Sequence, residues 1–418
     1  MPPPFSVCGF SYTLTHMKVN GIVIGAGIIG SAIAYELSKK GVTDVHVIDP
    51  DLEGPLSSTE RNAGGVRHLW QQPINRELSR HSISFFETVK SEIGFNQTGY
   101  LWLFSKAEQL SGEDMLSRTR SHNLQYEKLS VVDIRNRYPF IDKTEDLAFA
   151  IYGSKDGLIN SNALKQHYRT EAKKSGVVFH DRLLAHSIKD STSGAEVSIS
   201  RITSDVAAHS HLKVPQTLLN KAGTNTWSAN FVVLAAGAWS RELLFPLIKK
   251  PLIEPIRRQI ILFKAENFDM NEYGMVVDTS RVYFHPEGGN ILAGLVLKNE
   301  PSGFNFDVDS DFFESHIWPA LYDRSSHLER LKPITGWGGL YSYTPDTSGI
   351  LGKIPGYRHL YECHSFTGRG VMQSYGAAIA LTELILKNKF ETIDASCLSR
   401  DRFEPGNESR LLPEGLHI

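Results

Sequence analysis

Gly21-Ile-Val-Ile-Gly-Ala-Gly-Ile-Ile-Gly30 is the stretch whose reading decides the fold. Ile22 to Ile24 read as a short buried strand of the kind found in parallel sheets. Gly25, Gly27 and Gly30 form G-x-G-x-x-G. The first permits a tight turn, the second lets the backbone approach a pyrophosphate, and the third lets helix and strand pack closely. The helix expected from about Ile28 to Lys39 carries Ile29, Ile33 and Leu37 at i, i+4 spacing, with Ala32 and Ala34 as small packing residues. The turn residues Ala26, Ile28 and Ile29 bring its first amides and its dipole to bear on a diphosphate. Gly41 follows the helix, and Val45-His-Val-Ile-Asp49 reads as a second strand. Asp49 lies about 20 residues past the glycines, where an acid accepts hydrogen bonds from ribose hydroxyls. The acid favours an adenosine with a free 2′-hydroxyl, which disfavours NADP and leaves NAD and FAD open.

Composition narrows the classes around this unit. The chain has 418 residues, room for two to three domains' worth of core. An apolar fraction of 41% and a charged fraction of 22% are those of an ordinary folded protein and exclude intrinsic disorder. Forty-four Lys+Arg against 46 Asp+Glu leave no basic excess for binding nucleic acid. Sixteen His form no HxxxH pattern, and no metal site is expected. Cys8, Cys363 and Cys397 are far apart and odd in number, which excludes a disulfide scaffold or a CxxC site. Cysteine usage of this kind suits a reducing compartment, read as cytoplasmic, or mitochondrial in a eukaryote. The longest apolar runs are about half of the ~20 residues that a membrane span needs. Residues 1–16 match neither a secretory signal nor an Arg-rich transit peptide and are read as an extension outside the core. The acceptor-like triplets at Asn96 and Asn407 are read as chance.

Directly after the acid-ended strand comes Ser57-Ser-Thr-Glu-Arg-Asn-Ala-Gly-Gly-Val-Arg67, a polar, glycine-containing loop. The hydroxyls of Ser57 and Ser58, the Asn62 amide and the Ala63-Gly64-Gly65 backbone are suited to a second phosphate or a flavin ring edge. The glycine unit, this loop and Asn75-Arg-Glu-Leu-Ser together resemble the D-amino-acid oxidase, sarcosine and dimethylglycine dehydrogenase superfamily of FAD flavoproteins. Later segments are similar to the same superfamily. Asp156-Gly-Leu-Ile-Asn precedes a helix and the strand Val177-Val-Phe, and Ala185 then stands where the resemblance implies a backbone contact to adenine. Phe231-Val-Val-Leu-Ala-Ala-Gly-Ala-Trp-Ser240 is a buried strand ending in a small-residue turn, with Ala236, Gly237 and Trp239 implied at the dinucleotide. Gly339-Leu-Tyr-Ser-Tyr leads to His364-Ser-Phe-Thr-Gly-Arg-Gly-Val-Met-Gln373, which opens an apolar-periodic helix. The resemblance puts the flavin N1–C2=O edge at Gly368, Arg369, Gly370, Val371 and Met372, where a helix N-terminus stabilises the reduced anion. It runs from about Lys18 to Ile385. Its Asn-Ala-Gly-Gly-Val-Arg and Gly-Arg-Gly-Val-Met forms look closest to the FAD-dependent oxidoreductase domain-containing and sarcosine oxidase β-subunit branches.

The expected fold class is α/β (α+β overall): a discontinuous Rossmann-like FAD-binding domain with an antiparallel β-sheet substrate domain. The first takes residues 17–90, 150–250 and 335–390, the second 91–149 and 251–334. Residues 391–418 are left as a C-terminal tail. In the second domain Ile260-Ile-Leu-Phe, Met275-Val-Val and Arg281-Val-Tyr-Phe are strand-like, and Gly288-Gly reads as a hairpin turn. Residues 204–226 read as an exposed polar loop, and Asp311 to Arg330 as one helix.

The resemblance implies an FAD-dependent amine oxidoreductase that moves hydride from a small amino acid or N-methylamino acid to flavin N5. Such chemistry needs a positioned carboxylate and a dry site more than an acid–base pair. Tyr283 matches a substrate-facing Tyr. His285 stands where the family often has Arg, so Arg258 and Arg67 become alternative carboxylate clamps beside it, with Arg369 held in reserve. If His285 is the partner, substrate affinity falls as pH rises through imidazole titration, near ~6.5. His68 is read as a hydrogen-bonding neighbour of the flavin rather than a covalent tether, since the family's Trp-His context is missing. Met372 replaces a carboxylate-binding Lys of monomeric sarcosine oxidases. The strand at Asn290–Gly294 lacks their oxygen-activating Lys, which tilts the reading towards a dehydrogenase whose acceptor is a quinone or an electron-transfer protein. A non-catalytic flavoprotein assisting assembly of a respiratory complex is the alternative, and a partner subunit is open in either case. A nicotinamide dehydrogenase leaves the Gly368–Met372 segment unexplained.

Overall fold

The computed structural model describes residues 17–120, 126–202 and 224–416. The expected extension at 1–16 and nearly all of the polar loop expected at 204–226 lie outside them. Two large sheets organise the rest.

The first sheet grows from strand β1 (Met17–Ile24), longer than the three residues expected. Its neighbours are β2 (Val45–Ile48) on one side and Thr224–Leu234 on the other, both parallel to it. Leu360–His364 and Val178–His180 extend the parallel order outward. Ile22, Val23, Val45 and Val47 are wholly buried: Val23, Val45 and Val47 pack with the helices Ile28–Lys39 and Gly370–Lys387, while Ile22 on the other face packs with the strands Leu183–Ser191 and Gly194–Arg201. Helix α1 (Ile28–Lys39) connects β1 to β2 with the predicted boundaries. An antiparallel meander, Leu183–Ser191 and Gly194–Arg201, pairs back onto Thr224–Leu234.

The second sheet has eight strands, in the order Leu331–Tyr343, Glu254–Ala265, Asn290–Leu295, Tyr283–Glu287, Met275–Val277, Tyr100–Ser105, Leu147–Gly153 and Tyr126–Leu129. It is antiparallel except where Met275–Val277 runs parallel to Tyr100–Ser105. The Gly288-Gly289 turn forms as expected: both residues have positive φ (58° and 76°), matching the twist a two-residue hairpin requires.

Three expectations are corrected. Leu147–Gly153 and Leu331–Tyr343 are whole strands of the second sheet and cross the boundaries drawn at 150 and 335. The helix expected over 311–330 is broken into a π-turn at Phe313–Ile317, a short helix at Trp318–Arg324 and a 3-10 turn at Ser326–Leu328. Pro319 lacks the N–H that would continue the α ladder through the junction. The segment after residue 390 is no loose tail. Arg402 is fully buried on Asp346, Arg400 clamps Glu362 at 2.6 and 2.8 Å, and Glu414 accepts from the amides of Gln71 and Gln72. No helix of the described residues is long and apolar enough to cross a membrane.

Candidate functional site

A cavity of about 490 Å³ opens where the parallel strands end and the second sheet covers them. Ile24, Ile48, Ala235 and Cys363 mark the strand ends; Ile260, Met275 and Tyr283 come from the covering sheet. This is the crevice beyond the carboxyl ends of the strands that open α/β sheets offer to ligands.

Two helix starts lie on its floor. Gly27 precedes α1, and Arg369 precedes the helix Gly370–Lys387; neither end has a side-chain cap. Gly25 holds φ +102°, and a Cβ there would meet the Ala235 carbonyl at 2.6 Å. Gly30 does not line the cavity. A Cβ on it would sit 1.8 Å from the Gly25 carbonyl oxygen, so its role is the close helix–turn packing. Gly27 differs, since a Cβ there meets nothing nearer than Thr59 Oγ1 at 3.5 Å and projects into the open cleft. At Gly370 the nearest atom is Ile28 Cγ2, 3.8 Å away. Backbone amides backed by a dipole, with Cβ-sized space kept clear before them, fit a dinucleotide diphosphate at the first helix start and an anionic ring edge at the second.

Asp49 ends β2 half-buried on the cleft wall, where Oδ2 accepts from the Ala26 amide at 2.6 Å and Oδ1 from the Asp51 amide at 2.8 Å. Loss of water raises its pKa to about 6, against those amides and Arg169, which lower it. Ala185, Ala236, Gly237 and Trp239 line the same end.

The loop 57–67 also lines the cleft, but several of its side chains build the loop itself. Ser58 Oγ donates to the Leu340 carbonyl at 2.6 Å, and Ser57 Oγ accepts from the Glu60 amide. Asn62 Oδ1 accepts from Gly64 N and Ser161 Oγ, while its amide donates to the Thr59 carbonyl. Thr59, not singled out in the sequence, accepts from the Ile28 amide at 3.0 Å and so ties the loop to the start of α1. Ala63, Gly64 and Gly65 present backbone to the cavity. A Cβ on Gly65 would fall 1.9 Å from the Tyr100 hydroxyl, so only glycine lets that ring in.

Beyond the loop the cleft ends in a chamber of arginines and aromatic rings. Arg67, Arg258 and Arg369 all line it and are buried. Arg67 lies over Trp70 (3.6 Å to the centroid) and Trp102 (4.6 Å), and donates to the carbonyls of Leu69 and Leu416. Arg369 also lies over Trp70, at 5.2 Å, and donates to the Thr347 carbonyl. Arg258 donates to the Arg257 carbonyl and the Tyr343 hydroxyl. Burial lowers the pKa of Arg67, and that of Arg369 to about 10. Tyr283 lies opposite Gly294, where a Cβ would meet its hydroxyl at 2.4 Å, and burial raises its pKa well above the ordinary tyrosine value. Gly368, Val371 and Met372 close the chamber's floor.

Two histidines singled out in the sequence are absent from the cavity lining. His68 Nδ1 is 2.5 Å from Asp156 Oδ1 and 3.2 Å from the Tyr126 hydroxyl, which removes it from the expected cofactor contacts. His285 is buried, with Nδ1 2.9 Å from the Pro286 carbonyl. Burial lowers its pKa to about 4, although the Pro286 and Ala63 carbonyls favour the cation. Burial thus favours the neutral ring, and with His285 outside the cavity lining the expected titration near 6.5 moves down to about 4. Trp70, Tyr100, Tyr341 and Arg169 line the cleft without a motif that marks them. Their positions depend on strand register and helix packing, which no local pattern encodes.

Comparison with known proteins agrees with this architecture. FAD-dependent oxidoreductase domain-containing protein 1 of Xenopus laevis is 29% identical over 96% of this chain and 85% of its own length. Monomeric sarcosine oxidase of Bacillus sp. (strain B-0618) is 25% identical over 93% of this chain and 96% of its own. The crystal structure of L-proline dehydrogenase from P. horikoshii superposes with a TM-score of 0.81 over 93% of this chain and 99% of that one; at 21% identity it speaks for the fold alone. The family described as DAO, FAD dependent oxidoreductase, matches residues 21–384. The chain belongs to that family, and its cofactor is FAD.

Proposed function

We propose that the protein oxidises a small amino acid or N-methylamino acid, with hydride passing from the α-carbon to the flavin. The single observation that carries this reading is the buried chamber at the end of the cleft, where guanidiniums and phenols stand together out of water. A non-catalytic flavoprotein has no use for buried cations facing a cavity, because an uncompensated buried charge costs stability.

FAD, when bound, supplies the two-electron acceptor. Gly25, Ala26, Gly27, Ile28 and Ile29 would hold its diphosphate by backbone, Asp49 would take ribose hydroxyls, and Ala185 would face the adenine. The amides at Gly368–Met372 stabilise negative charge at the flavin edge. Arg67 or Arg258 clamps the substrate carboxylate, Tyr283 adds a hydroxyl donor, and the covering sheet excludes water so that the amine's lone pair can assist hydride departure. Among the described residues the one lysine lining the cleft is Lys165, which is ion-paired with Glu60. This supports a dehydrogenase over an oxidase.

The test is anaerobic bleaching of the yellow holoprotein by sarcosine, dimethylglycine, proline and D-amino acids, followed by turnover with oxygen or a quinone-like dye. At least one amine should bleach the flavin, and the dye should outpace peroxide formation. Bleaching by none would favour the assembly role. Peroxide matching total turnover would make it an oxidase.

Asp49 gives a second expectation. The ionised carboxylate is the stronger acceptor for ribose hydroxyls, so FAD affinity of the apoprotein should rise between pH 5 and 7, by up to about tenfold, the change in ionised fraction for a pKa of about 6. For apoprotein stability the sign is opposite: a raised carboxylate pKa favours the fold at low pH and costs stability as pH climbs towards 6. Asp49→Asn should flatten the affinity profile. Fluorescence quenching of FAD against pH reads it, and an unchanged slope in the variant would assign the titration elsewhere.

A further inference from the structure

We propose that the substrate carries two carboxylates: an amino acid with a second acid group, on its side chain or on its nitrogen. The proposal rests on the amine-oxidising reading above and goes further, because the unmatched donors of the chamber lie on two arginines rather than one.

Three guanidiniums are buried there, and among the described residues none has a carboxylate within 4.0 Å. Their acceptors among the described residues are all neutral: the carbonyls of Leu69, Leu416, Arg257 and Thr347, and the Tyr343 hydroxyl. Arg369 is 1% exposed, yet its Nε and Nη1 have no hydrogen-bond partner, and Arg258 Nε is likewise unmatched. A guanidinium has five donors in a planar fork that suits a carboxylate bidentately. Burying such donors unpaired is costly, so they point to a ligand that completes them.

The acids in electrostatic range are committed elsewhere. Asp156 bonds His68 and Tyr126, and Asp346 is ion-paired with Arg402. Glu414 accepts from the amides of Gln71 and Gln72 and from Asn75, and acts on both Arg67 and Arg369 as a counter-charge without touching either. The unmatched donors lie on two of the three guanidiniums, Arg369 and Arg258, more than one small carboxylate at one point completes. The arginines also divide. Arg67 and Arg369 both contact the Trp70 ring, whereas Arg258 lies over Tyr341 and Tyr343, at 5.3 and 5.0 Å from their ring centroids. Two subsites, one at Trp70 and one at Tyr341 and Tyr343, fit two acid groups on one small molecule.

The experiment titrates the holoprotein with unreactive malonate, succinate and glutarate against acetate and propionate, following the flavin absorbance. Anaerobic reduction by sarcosine, N-(carboxymethyl)glycine and glutamate follows. The best dicarboxylate should bind about 30-fold tighter than the best monocarboxylate, the scale of one added charge-assisted carboxylate contact. Faster bleaching by N-(carboxymethyl)glycine than by glutamate would put the second acid on nitrogen, and the reverse order on the side chain. Arg369→Met should shrink the 30-fold margin below about threefold, and Arg369→Lys should keep part of it. Equal affinity for mono- and dicarboxylates in the wild-type protein overturns the proposal even if sarcosine bleaches the flavin. If dicarboxylates bind tightly and no amine bleaches it, the amine-oxidising reading fails and the two-anion chamber stands.

Discussion

Gly27→Val is expected to give a folded, colourless protein. Gly27 has φ −63° and an extended ψ, a conformation valine adopts, and its Cβ direction opens into the cleft, so the apoprotein has nothing to rearrange. The cost falls on FAD, whose diphosphate needs the backbone at that point. Loss of close amide contact and insertion of two methyl groups should weaken binding at least about a thousandfold, roughly 4 kcal/mol. Gly30→Ala is the contrasting variant. Its Cβ would overlap the Gly25 carbonyl at 1.8 Å, so it should damage the fold itself. Flavin content and apoprotein melting temperature, measured side by side, separate the two effects. A yellow, stoichiometrically loaded Gly27→Val protein would remove this turn from the cofactor site.

Arg402→Met should cost about 3–5 kcal/mol of stability, the range for breaking a buried ion pair and stranding one partner. Arg402 donates to both oxygens of Asp346 (2.8 and 3.1 Å) and to the carbonyls of Leu398, Ser348 and Gly349. Burial alone would raise the pKa of Asp346. The Arg402 bonds and the amides of Leu412 and Ser348 outweigh it and hold the carboxyl below its ordinary value. Its contribution is therefore present at neutral pH and is lost as pH falls through that lowered value. Denaturant midpoints of Arg402→Met, Asp346→Asn and the double variant measure the pair. The double variant should recover part of the loss, since no charge is then left alone in the interior. A loss under about 1 kcal/mol in Arg402→Met would show that water reaches the carboxylate.

The difference between these two variants tracks what could be read in advance. The glycine turn is a requirement on consecutive residues: strand, tight turn, helix and terminal acid lie within 33 positions of one another, from Met17 to Asp49, and each residue type answers a local steric or electrostatic demand. The Gly288-Gly289 hairpin is of the same kind. Residues after 390 carry no such pattern. Their burial comes from Arg400, Arg402 and Glu414 meeting partners 38, 56 and 343 positions away.

By itself, then, the order of residues determined the dinucleotide unit, its cofactor class through the chain-long resemblance, and most of the cleft floor. Only the tertiary structure decided the chemistry at the cleft's far end. It turned His68 towards Asp156 and, by burying His285, lowered the pKa of its ring. It also gathered Arg67, Arg258 and Arg369, from three distant segments, around Trp70 and Tyr341. The reason is that a side chain's charge and partners depend on dielectric and neighbours, and both are set by which strands pair and which helices pack, not by the residues on either side.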